Sequence, residues 1–298
     1  MSANLEFLLN LIINGLVVGS VYSLVSLSMV LIYKGSKVLN LAQGELLMLG
    51  GYIGLVLSAT LRLPFFLALP LTMILMSILG LLIERVFLRP MIGESIIAVI
   101  MITLGLSSVL KGVAGLFWGT ETYVFPKFLG GKGVLIGGIY FSGLYMVTIG
   151  MTLALVVLFF FFFKYSIYGI ALRATASDQR ATLSMGISVK RMFGLCWAIS
   201  ALLSAVIGIL LGTINGINLT ISFYGLLALA PIILGGMDSV GGAILASFII
   251  GVLESLSQGY LSSYIGGSVK EISAFTIILI IMIFRPYGLF GTEEIERL

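Results

Sequence analysis

Apolar runs of about 20 residues, separated by short polar punctuation, occupy almost the whole chain. A run of that length crosses the roughly 30 Å hydrocarbon core of a bilayer as a helix. Backbone polar groups have no water to bond to in lipid, so a spanning segment must be a helix or part of a closed barrel. Runs this long and this uniformly apolar do not show the alternation of a barrel strand. The composition agrees: 60% of residues are hydrophobic, 9% are charged and the mean hydropathy is +1.21, against roughly 25% charged in soluble domains. The expected fold is an all-α integral membrane protein, a polytopic helical bundle of eight or nine transmembrane segments. It is expected to form a single permease-like domain over 1–298, with no soluble domain attached.

The same composition excludes several kinds of chemistry. The chain has no histidine and one cysteine, so histidine catalysis is excluded and a metal site of nitrogen or sulfur ligands is not expected. Cys196 lies in an apolar run and reads as a small buried hydrophobe. The net charge of +4 comes from cations at the ends of segments, a topological pattern instead of a nucleic-acid-binding face. The stretch GGKG at 130–133 lacks the Ser or Thr and the upstream glycine of a phosphate-binding loop, so the chain is expected to bind no ATP and no other cofactor itself.

In chain order, the first apolar run precedes every Lys and Arg and is followed at once by Lys34 and Lys37. It lacks the basic start of a secretory signal and is expected to be retained, with the N-terminus outside. Gly15 and Gly19 give small-residue spacing for close helix approach. The stretch 38–54 then sets Asn40, Gln43, Glu45 and several glycines into an apolar run. Polar groups at membrane depth are costly unless they face protein or water. A discontinuous, cavity-lining segment near 40–52 is therefore expected, with Asn40, Gln43 and Glu45 on the translocation pathway; an interfacial Glu45 is the alternative. Residues 119–141 make the one sizeable outer loop, read as a periplasmic strand or loop cap. LGGMDSVGG at 234–242 breaks a second run near 231–243 with four glycines around Asp238. Glu254 follows inside an apolar run and is a further pathway candidate. No constellation of nucleophile, base and orienter appears, so the chain is not expected to be an enzyme.

The longest polar interruption is 164–191. Lys164, Arg173, Arg180, Lys190 and Arg191 face a single acid, Asp178, which places this loop in the cytoplasm. Ser177 and Asp178 are cap residues ahead of QRATLSM, and Gly186 can end that short helix. A second short helix is expected over Ile170 to Ala176. Two short helices at a membrane surface make a docking knob; a solvated basic loop that only enforces topology is the other reading.

Five stretches together resemble permease subunits of ABC transporters for branched-chain amino acids: NLAQGELLMLGGY (40–52), ERVFLRP (84–90), GIALRATASDQRATLSMGI (169–187), LGGMDSVGGA (234–243) and RPYGLFG (285–291). The resemblance implies a multi-pass subunit of a prokaryotic inner membrane, embedded in lipid, that forms the pathway for a small solute. It implies a homologous second permease, two cytoplasmic ATPase subunits that use the ATP, and a periplasmic solute-binding protein as partners. It also implies that the central loop is the coupling element, with Arg173, Ala174, Asp178, Arg180, Ala181 and Gly186 as contact candidates. An ion-coupled secondary transporter, with Glu45 and Glu254 as proton carriers, is the competing reading.

Overall fold

A computed structural model describes residues 3–126, 133–136, 139–265, 269–285 and 288–291. Twelve helices are named in order: α1 (Ala3–Ser36), α2 (Gln43–Leu55), α3 (Phe65–Ile83), α4 (Ile96–Trp118), α5 (Gly143–Tyr165) and α6 (Ile167–Ser177), then α7 (Gln179–Ser184), α8 (Val189–Asn215), α9 (Phe223–Leu227), α10 (Leu229–Gly235), α11 (Val240–Ile265) and α12 (Val269–Phe284). Six are long and apolar enough to cross a membrane, and Leu219–Gly235 and Ile272–Phe284 are shorter apolar segments. With α2, which a π-helical turn extends to Thr60, the described residues fit the expected eight or nine. The helices differ sharply in what they face. The most apolar window of α1 is 89% buried and that of α8 78%, against 22% for α4 and 17% for α5. The last two therefore present the apolar side chains that a lipid-facing helix needs, whereas α1 and α8 are interior.

The chain divides into two compact units. The first holds Met1–Val30, Leu129–Leu153 and Leu227–Leu298. In it α10 packs on α11, and both pack on α12. The break expected near Asp238 is present: α10 ends at Gly235, Gly236 takes φ +97°, and Ser239 Oγ accepts from the Gly242 amide at 3.1 Å as α11 begins. Only glycine takes such a φ without strain. The 119–141 loop contributes β1 (Val134–Ile136) and β2 (Ile139–Phe141), paired antiparallel, so a strand pair is present there; most of GGKG lies outside the described residues.

The second unit holds Leu31–Phe128 and Ala154–Leu226. Its centre is α8, with α2 and α3 packed along it. A Cβ added at Gly50 would lie 2.7 Å from the Ala205 Cα and 2.8 Å from the Ser204 carbonyl oxygen, so the α2 and α8 backbones touch. This contact explains a helix that is apolar by composition yet rich in glycine. At the far end of α3, a π-helical turn (Glu84–Leu88) brings Arg89 back onto Glu84. Arg89 Nε and Nη2 donate to the two carboxylate oxygens at 3.2 and 2.9 Å, a bidentate pair whose acid is 1% exposed.

Candidate functional site

The discontinuity expected near 40–52 is where the second unit gathers its polar groups. The chain from Lys37 to Ala42 is not helical, and α2 starts at Gln43. Asn40 shapes this entry, its Oδ1 accepting from the Ala42 amide at 3.0 Å and its Nδ2 donating to Gln43 Oε1 at 3.1 Å. Gln43 reaches across to α8. Its Nε2 donates to Ser204 Oγ at 2.9 Å, and its Oε1 accepts from Ser200 Oγ at 3.1 Å. Asn40, Gln43, Ser200 and Ser204 are all buried. The side-chain amide of Gln43 is thus held at both ends by protein, as buried polar groups must be. Glu45 is 6% exposed; the Ser107 and Ser222 hydroxyls and the Lys111 ammonium are its electrostatic neighbours.

Two turns along α2 from Glu45, Tyr52 stacks on Trp118 with ring centroids 4.7 Å apart and meets Tyr123 edge-on at 6.4 Å. Tyr123 is itself fixed by a two-way backbone bridge to Ile217. The sequence reading missed this aromatic group and the serine pair. Ser200 and Ser204 sit four apart, on one face of α8, which was the available signal.

In the first unit, Glu254 on α11 is 1% exposed and accepts from the Tyr22 hydroxyl of α1 at 3.0 and 3.2 Å. Above this pair α1 and α11 open into a cleft of about 250 Å³, lined by Leu11, Asn14, Val18, Glu254, Ser255, Gln258 and Gly259. The two helices are in backbone contact elsewhere: a Cβ on Gly15 would fall 2.6 Å from the Val252 Cα, and one on Gly19 2.8 Å from the Phe248 Cα. The small-residue spacing read from the sequence does what it was expected to do.

The central loop is two helices, as expected, with the first longer than Ile170 to Ala176. The Ser166 hydroxyl accepts from the Gly169 amide at 2.9 Å and starts α6 three residues earlier. Asp178 ends α6 and starts α7, its Oδ1 accepting from the Ala181 amide at 3.0 Å. Gly186 closes the unit at φ +79°. Of the expected contact residues, Arg173, Ala174, Asp178, Ala181 and Gly186 are exposed, with Arg173 Nη2 donating to the Lys164 carbonyl at 3.3 Å. The Arg180 side chain lies outside the described residues, and its backbone is in α7. Ala171 and Thr175 are buried instead, so they hold α6 in place while Ala174 faces outward. Met185 is 83% and Ile167 82% exposed. Beneath the loop, Gln179 lines a cleft of about 120 Å³ together with Glu84 and Trp197, and α7 packs against α8.

No cluster of three or more potential metal ligands occurs among the described residues. The geometry is that of a polytopic membrane protein with buried polar groups on its spans and a capped helical knob. Comparison with known proteins agrees with it. The family described as branched-chain amino acid transport system permease component matches residues 11–285. The permease protein BraD of the high-affinity branched-chain amino acid transport system of Pseudomonas aeruginosa is 30% identical over 96% of both chains. The corresponding LivH of Escherichia coli K12 is 29% identical over the whole of both. A probable LivH from Methanocaldococcus jannaschii is 28% identical over 74% of this chain and 72% of its own. Among solved structures, PsaBC from Streptococcus pneumoniae in complex with Fab shares the fold, with a TM-score of 0.51 at 18% identity over 94% and 92% of the chains. The chain belongs to the permease family of branched-chain amino acid transport systems.

Proposed function

We propose that this permease carries branched-chain amino acids inward through the inner membrane of a prokaryote, driven by ATP hydrolysed on separate subunits. The solute class is that named for BraD and LivH. The rest of the assembly is inferred from the resemblance to such permeases: a second permease completes the pathway, two ATPases supply energy, and a periplasmic binding protein supplies affinity. A pathway of few charged groups holds a small zwitterion weakly, so that it can leave. Asn40, Gln43, Glu45 and Glu254 are the polar groups it would meet or that position those it meets.

The observation that carries the energetic part is the central loop. Its helices are fixed by caps at Ser166 and Asp178, and it exposes apolar Ile167 and Met185 beside the small residues Ala174 and Ala181. A rigid knob with an exposed apolar face suits insertion into a groove on another protein. The packing of α7 and α6 against α8 gives a displacement of the knob a direct mechanical route to α8. The test is ATPase activity of the reconstituted complex with loaded binding protein. Ala181→Trp is expected to abolish the stimulation while leaving membrane insertion intact; full stimulation in that variant would leave the loop a topological linker.

A further inference from the structure

The buried ion pair at the inner end of α3 belongs neither to the polar group on α2 nor to the knob, and its construction is specific. Glu84 and Arg89 are five residues apart, a spacing that on an α-helix sets two side chains about 140° apart around the axis. The π-helical turn over Glu84–Leu88 removes that separation. The Arg89 amide donates to the Glu84 carbonyl, and the Arg89 guanidinium holds both Glu84 carboxylate oxygens, at 3.2 and 2.9 Å. One residue thus clamps the other by backbone and by side chain. Single π-turns are rare, and they concentrate at functional sites.

We propose that Glu84 and Arg89 are the positioning pair of energy coupling: they lock the inner end of α3 to α8, so that a displacement of α8 by the knob carries α3 with it. The role rests on the coupling reading of the loop given above. The pair lies against the α8 backbone. A Cβ added at Gly194 would sit 3.4 Å from Leu81 Cδ2, 3.5 Å from Glu84 Oε2 and 3.9 Å from Arg89 Nη2, so a methyl fits there and a longer side chain does not. The knob bears on the same helix, because α6 and α7 both pack on α8, as does the π-helical turn itself. Glu84 also lines the cleft of about 120 Å³ whose wall includes Gln179 of α7 and Phe193 and Trp197 of α8. Free space therefore adjoins the pair, and a turn released by the guanidinium has somewhere to slip. A carboxylate that is 1% exposed would be left charged and alone if its cation withdrew. That penalty, with the two-pronged geometry of the contact, keeps the two side chains together while the helices around them move.

The test is the coupling ratio, leucine taken up per ATP hydrolysed, in proteoliposomes that hold the whole transporter and its loaded binding protein. Arg89→Gln is expected to lower the ratio roughly tenfold, within the range by which residues along a coupling route modulate it. Hydrolysis then runs without matching uptake. Gly194→Leu keeps both charges but pushes the pair off α8, and it should lower the ratio in the same way. Gly194→Ala, whose methyl fits, should keep the wild-type ratio. Arg89→Lys keeps the charge without the two-pronged contact and should fall between. A pair that only stabilises the fold would behave differently: its variants would reduce the amount of inserted transporter, and the molecules that remained would couple normally. Where a single variant fails to insert, Glu84→Gln/Arg89→Gln, which leaves no buried charge unpaired, takes its place with the same expected loss. A wild-type ratio in Arg89→Gln, in Gly194→Leu or in that double variant overturns the proposal. The two readings fail separately. Stimulation kept by Ala181→Trp removes the coupling role of the knob, whereas stimulation lost there with a wild-type ratio in Arg89→Gln removes the role of this pair alone.

Discussion

Gln43 and Glu254 each set a strongly polar side chain inside an apolar span, and the two sites resolve that cost in opposite ways. Gln43 is closed. Asn40, Ser200 and Ser204 occupy its amide, and glycine contacts such as Gly50 on Ala205 draw the backbones together around it. Glu254 is open. Gly15 and Gly19 draw α1 and α11 together below it, Ser255 ties α11 to the Leu11 carbonyl at 2.7 Å, and a cleft lined by Asn14 and Gln258 remains between them, with Gln258 Oε1 left without a partner. The same ingredients, small residues for approach and a polar group inside an apolar span, thus give a structural clasp in one unit and a cleft in the other. What separates them is whether serines stand opposite the polar group.

The largest effect expected from this contrast is at the closed site. Gly50→Val should cost about 3 kcal/mol or prevent folding, because both neighbours are backbone atoms that cannot move aside. Gly105→Val, with nothing within 4 Å of its added carbon, should change stability by no more than about 0.5 kcal/mol. Thermal melting of the purified protein, followed by size-exclusion chromatography, reads both, and equal losses would break the distinction. Next comes the pair Gln43→Leu and Gln258→Leu. The first strands buried partners and should cost roughly 1 to 3 kcal/mol, while the second removes an atom without a partner and should stay within about 0.5 kcal/mol. A reversal of that order would mean that the closed and open descriptions are exchanged.

The loop extends the comparison from interior to surface, with smaller stakes. Gly186→Val forces a branched residue to φ +79° and should cost about 1 to 2 kcal/mol locally, seen as loss of ATPase stimulation with little change in melting. Asp178→Ala removes the cap on α7 and should cost about 1 kcal/mol of local order. Asp178→Asn keeps a capping oxygen, and its hydrogen-exchange protection in α7 should stay near wild type.

Much of this was legible in the residues. The apolar runs gave the spans, and the polar insertions marked both helix breaks, at Lys37–Ala42 and at Gly236. Asp178 and Gly186 marked the ends of α7 because capping is a local event, decided by residues within a turn of one another. Ser166 was overlooked, and α6 was read short for that reason. The partners of buried groups were less legible. Nothing near Gln43 in sequence announces Ser204, 161 positions away, and nothing near Glu254 announces Tyr22. Hydroxyl-bearing residues are common in apolar runs, and only three-dimensional packing selects which of them face a partner. For Glu45 the residue type suggested a pathway or an interface, and packing placed it in the interior beside Ser107, Ser222 and Lys111.

The central claim is that this chain moves a branched-chain amino acid at the expense of ATP hydrolysed elsewhere. It is tested most directly by uptake of labelled leucine into proteoliposomes holding the permease pair, its ATPases and the loaded binding protein. Uptake is expected to require ATP, to disappear without the binding protein and to survive an ionophore that collapses ion gradients. Uptake that proceeds without ATP and stops on addition of the ionophore would contradict the account.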